Sequence, residues 1–207
     1  MKYYHSPNSI NLIEQNALAG FLKTHRFTAV IDLILKLNKM KSGIQNTIIE
    51  TYSELNDTIA SFSDEEINIV PFEGSWTAGQ TAQHIILACA DIPKLFAGKT
   101  EKTNREADEN VKNLDAVFLD FNTKYQSPEN IKPAEIDYDK SKLLASLNKI
   151  QKDLFEAAET YDLTLTCLDA KIPGFENFTI YEWIYFAIVH TQRHTHQLKL
   201  IYENIKK

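Results

Sequence analysis

Residues 179–204 read TIYEWIYFAIVHTQRHTHQLKLIYEN. Thr179 and Glu182 have the spacing of a capping box, in which two otherwise orphaned backbone N–H groups are satisfied reciprocally, so a helix should run from there to about Asn204. At about 100° per residue, Trp183, Phe186, His190, His194, Gln197 and Ile201 fall along one face of that helix. His190 and His194 therefore share a stripe with core aromatics and lie one turn apart, where their imidazoles can converge on one ion. Burying two imidazoles in an apolar interior costs free energy unless their nitrogens find partners. A metal ion is one such partner.

Three further helices can be read upstream. Ile44, Ile48, Tyr52, Leu55, Ile59 and Phe62 recur at helical spacing between about Ser42 and Phe62. The loop signal Val70-Pro71-Phe72-Glu73-Gly74 ends that helix. The second should begin near Ser75 or Thr77, where Thr77 and Gln80 again have capping-box spacing, and run through His84 to about Phe96, before Gly98. Residues 99–137 are polar and acidic, with Pro128 and Pro133, and read as a long crossover holding one short helix around Val111–Phe121. Asp139 is placed to cap the third helix, with Leu143, Leu144, Leu147, Ile150, Leu154 and Ala157 facing the core; a loop with Pro173-Gly174 follows. The expected fold is all-α, a four-helix bundle over residues 42–207 with one long crossover. Residues 1–41 form an N-terminal extension, helical or irregular: Ile10, Ile13, Ala17 and Phe21 suit a short helix, and Phe27 to Leu37 another.

Composition narrows the function. The 207 residues suit one domain, and 43% apolar with 24% charged residues is ordinary for a globular protein. A net charge of −6 without a basic stripe argues against nucleic acid as a partner. No apolar stretch approaches the roughly 20 residues that span a bilayer, so no membrane partner is expected. Glu14, Gln15 and Asn16 interrupt the early apolar residues, and Cys89 and Cys167 are too few for a disulfide framework; a cytoplasmic location is expected.

His84 lies on the side of the second helix that carries Thr77, Gln80, Leu87 and Ala88, so it can also look inward. Inward histidines are often hydrogen-bonded core residues, and an H-x-x-x-H pair also arises by chance; a third inward histidine on another helix shifts the balance toward metal. His196 is about 200° around the helix from His194 and reads as a surface residue. His5 and His25 receive no role. Thr191 stands where a metalloprotease H-E-x-x-H motif needs glutamate, which excludes that chemistry in its usual form. Gln80 and Asp91 are weaker candidates on the His84 face, Cys89 reads as a small core residue, and Trp76 and Trp183 as core packing.

Trp76-Thr77, with His84 eight residues after the tryptophan, resembles the second-helix motif of DinB/YfiT-like proteins, and His190-x-x-x-His194-x-x-Gln197 resembles their last-helix motif. The likeness covers about residues 42–205. Relatives often carry glycine just before the terminal glutamine, where this chain has His196. The resemblance implies an up-down-down-up bundle and a divalent metal held by three histidines, here His84, His190 and His194. It also brings in relatives that use low-molecular-weight thiols, including bacillithiol S-transferases and mycothiol-dependent maleylpyruvate isomerases, and an expectation of a homodimer.

Three neutral imidazoles leave coordination positions open, as in catalytic rather than structural zinc sites. An open ion can lower the pKa of a bound water to about 7 or hold a thiol as thiolate. The first supports hydrolysis and the second sulfur transfer, on a small-molecule substrate with a thiol cosubstrate in the latter case. Zinc, nickel and iron all suit imidazole. Gln197 can orient a ligand or bound water from one turn beyond His194, or stand as a helix-surface amide. The alternative function is a metal- or ligand-binding bundle without turnover.

Overall fold

The computed structural model describes the backbone of residues 12–207 and the side chains of residue 28 and residues 30–207. The side chains of Ile10, Ile13, Ala17, Phe21, His5 and His25 lie outside the described residues. The chain divides into two units, Met1–Ser42 and Gly43–Lys207. In the first, Val30, Ile31, Leu33, Ile34 and Leu35 are exposed.

Helix α1 spans Leu12–Ala60, so the start expected near Ser42 is not a helix end. No proline lies between Pro7 and Pro71. Gly20 and Gly43 cost about 1 kcal/mol each, too little to end a long helix. Within the second unit Ile44, Ile48, Tyr52, Leu55, Ile59 and Phe62 are all buried, as their spacing predicts.

Helix α2 (Ala78–Cys89) opens with the expected capping box, Thr77 and Gln80 each bonding the other's backbone N–H. It stops short of Phe96. A separate short helix α3 (Ile92–Leu95) follows, because Pro93 has no N–H to donate and its ring clashes with the preceding turn. Gly79 is required by a close approach: a Cβ there would stand 2.9 Å from the Tyr138 Cβ and 3.2 Å from the Ile67 carbonyl.

In the crossover, strand β1 (Thr100–Lys102) precedes helix α4 (Val111–Phe118). Helix α5 (Lys140–Thr160) is capped by Asp139, which accepts from the Lys142 amide. Leu143, Leu147, Ile150, Leu154 and Ala157 are buried on it, but Leu144 is only half-buried. Strand β2 (Leu165–Cys167) pairs antiparallel with β1, Thr100 opposite Cys167. Three-residue strands are too short to show a period, and this pair is not foreseen from sequence. Helix α6 (Ile180–Ile205) closes the chain's order of elements.

Long-range bonds give the helix directions. Gln45 donates to the Phe155 carbonyl and Asn56 to Asn148, so α1 and α5 are antiparallel. Gln192 donates to Thr51 and Lys199 to Glu54, so α1 and α6 run together. Gly79 approaches Tyr138 while Phe96 meets Tyr161, so α2 and α5 share a direction. The second unit is an all-α, up-down-down-up bundle.

Glu182 ties the crossover to α6. Besides closing its capping box with Thr179, its fully buried carboxylate accepts both guanidinium nitrogens of Arg105 at 2.7 and 2.6 Å and the Asn110 amide at 2.7 Å. Among the described residues no helix is long and apolar enough to cross a membrane.

Candidate metal centre

The bundle brings His84 of α2 against His190 and His194 of α6. Ring centroids stand 5.0 Å apart for His84–His190, 4.6 Å for His84–His194 and 4.5 Å for His190–His194. One ring nitrogen from each lies within 4.8 Å of the other two. The side chains are nearly closed to solvent, with exposures of 4, 5 and 9% in sequence order.

Two of the rings are oriented from behind. His84 Nδ1 donates to the Ile131 carbonyl at 2.8 Å, and the side-chain carbonyl of Gln197 accepts from His194 Nδ1 at 2.8 Å. Since a carbonyl only accepts, each Nδ1 carries the proton and each Nε2 is left with a free lone pair. His190 Nδ1, by contrast, is buried with no partner.

Burial depresses the pKa of all three, that of His190 well below the usual histidine value, and His194 is pushed down to about 3, with the nearby His84 as a lesser cause. The imidazoles are therefore neutral at neutral pH, the state in which histidine ligates metal. A set of three neutral nitrogens on a rigid helix pair fits a divalent ion of borderline softness.

A sequence model of the DinB superfamily matches residues 47–198. The chain belongs to the DinB superfamily. It is similar to the uncharacterized protein YuaE of Bacillus subtilis, 25% identical over 171 residues that cover 77% of this chain and 94% of that one. No solved structure matches the chain.

Around the triad of this DinB bundle the other candidates sort differently. Gln197 touches His194 and is not a free surface amide. Gln80 is held in the α2 cap and donates to the Ala134 carbonyl, and Asp91 is exposed and paired with Lys94; neither meets a histidine of the triad. Cys89 is a core residue beside Tyr52 and Thr191, its thiol pushed up to about 12 by burial, and burial pushes that of Cys167 up to about 11. His196 is not a bare surface residue but stacks on Phe121 at 4.1 Å. Trp183 is buried as expected, whereas Trp76 is half-buried and lies 5.1 Å from His84.

Arg193, between the two α6 histidines, escapes sequence reading. It donates to the backbone carbonyls of Phe118, Asp120 and Thr123, and its guanidinium lies over the Tyr125 ring at 5.1 Å. These partners stand some 70 residues away in sequence, so no local spacing announces them. Together with the Ile131 bond to His84, they fold the crossover against the triad from two sides.

Proposed function

We propose that this DinB protein is a divalent-metal-dependent enzyme in which His84, His190 and His194 hold the ion, and that it acts on a small molecule by thiol transfer or hydrolysis. The observation that carries the reading is the convergence of three neutral imidazole nitrogens within 4.8 Å, from two helices, with no fourth protein ligand beside them among the described residues. When bound, such an ion supplies Lewis acidity and makes a water or thiol acidic enough to ionise near neutral pH. The chain's own groups do the positioning: Ile131 and Gln197 fix the rings of His84 and His194, and burial in the bundle keeps bulk water from them.

Buried thiols at Cys89 and Cys167 remain protonated and are poor nucleophiles, so sulfur transfer in this protein calls for a low-molecular-weight thiol cosubstrate. Elemental analysis of protein as purified tests the site: about one divalent ion per chain in the wild type, and none in His84→Ala. A metal content equal in both sinks the assignment. Activity is then sought with thiol–electrophile pairs and with ester and amide substrates, each lost in His194→Ala. The closed surroundings of the histidines favour a second reading, a metal-binding bundle without turnover. Metal-dependent turnover of any substrate in those assays excludes it.

A further inference from the structure

Rings flank the triad unevenly. Trp76 lies 5.1 Å from His84, and Phe186 and Phe118 lie 5.4 and 5.9 Å from His190. His194 meets no ring except the other two imidazoles among the described residues. Core aromatics elsewhere in the bundle, such as Phe62 and Phe178, are closed to 1% exposure, whereas Trp76, Phe118 and Phe186, beside the triad, keep partial exposure.

Two further observations point to a ligand. Trp183, one turn before Phe186 and edge-on to it at 5.9 Å, is only 6% exposed, and its Nε1 has no acceptor. A buried indole N–H normally finds a partner, and a donor left unpaired costs free energy. Phe118 is positioned deliberately: its carbonyl accepts from Arg193 at 3.2 Å, while its ring stands edge-on to both Phe186 and His190. The residue that pins this wall is the immediate neighbour of His194 in the chain.

We propose that Trp76, Phe118, Phe186 and Trp183 form a subsite for the body of the substrate, a flat aromatic group bearing a hydrogen-bond acceptor for Trp183 Nε1. The reactive head of that molecule points at the histidines, and only this last element rests on the metal reading. Offset and edge-on ring contacts stabilise a flat guest beyond its buried area, and the guest completes the donor that the fold leaves unpaired.

Both tryptophans of the chain belong to the subsite, so intrinsic fluorescence reports its occupancy. Metal-loaded and metal-free protein are titrated with three probes: benzamide, with ring and acceptor but no strong chelating head; benzohydroxamate, with ring and chelating head; and acetohydroxamate, the same head without the ring. Benzamide should quench saturably in both forms. Benzohydroxamate should bind loaded protein about tenfold or more tighter than acetohydroxamate. Trp183→Phe, which keeps an aromatic ring but removes the N–H, should weaken benzamide about three- to tenfold by calorimetry with acetohydroxamate unchanged. Phe118→Leu should narrow the gap between the two hydroxamates at an unchanged melting temperature; if that variant is unstable, Trp183→Phe and the wild-type comparison decide. The subsite is overturned if benzamide binds neither form or if the two hydroxamates bind equally. Failure of the metal reading looks different: benzamide still binds, but benzohydroxamate binds no tighter than benzamide and neither hydroxamate gains affinity from added metal.

Discussion

His190 is the histidine whose second nitrogen the fold leaves alone. Its ring packs against Phe118 and Phe186, and its Nδ1 is buried without an acceptor, while the Nδ1 atoms of His84 and His194 each have one. Stability alone does not favour that arrangement, since a buried polar atom without a partner costs free energy. His190→Leu, similar in bulk and wholly apolar, should therefore leave the metal-free protein as stable as the wild type or more so, while abolishing stabilisation by added metal. Thermal melts with and without a divalent ion read both effects. Protonation acts on the same group of rings. In the fold the His194 pKa falls from 6.5 to about 3, and burial depresses His84 and His190 in the same direction. Below about 6.5 the unfolded chain binds protons that the native state refuses, so stability is whole above that pH and is lost progressively as pH falls toward about 3. The urea midpoint of metal-free protein should be lower at pH 5 than at pH 7, and His194→Gln should shrink the difference.

Among the elements, α6 holds the molecule together through its first turn as much as through its core face. Glu182 caps the helix, accepts Arg105 and accepts the Asn110 amide, all with no solvent exposure of its side chain. Removing Arg105 would leave a buried carboxylate without its cation. Arg105→Ala should cost about 3–5 kcal/mol, seen as a lower denaturant midpoint, and pairing Arg105→Met with Glu182→Gln should recover part of it. A loss under about 1 kcal/mol would mean that water replaces the guanidinium there.

At the scale of the whole molecule, the triad couples α2 to α6 and the crossover to both, so an ion bound there stabilises the native state by mass action. At free metal about 100-fold above its dissociation constant the gain is about 2.7 kcal/mol. Chelation should lower the melting temperature of wild-type protein and leave that of His84→Ala unmoved; equal melts in both would show that the histidines are ordinary core residues.

Much of this architecture is legible in the chain alone, because it is written within a turn or two of helix. Thr77 with Gln80 and Thr179 with Glu182 announce their helix starts, and the apolar period marks the buried faces of α1, α5 and α6. Phasing likewise puts His84, His190 and His194 on inward faces, and the tertiary structure then brings their rings within about 5 Å of one another. The break at Pro93 is readable in principle, since proline cannot continue a helix, but the apolar pattern runs on through it. What only the tertiary structure decided lies in the crossover. Ile131 behind His84, the three carbonyls held by Arg193, Phe121 on His196 and Arg105 on Glu182 join residues some 50 to 80 positions apart. Local sequence sets helix period and caps because those bonds close within four residues. A contact across a long loop depends on the path the backbone takes, and that path emerges only when the whole bundle has packed.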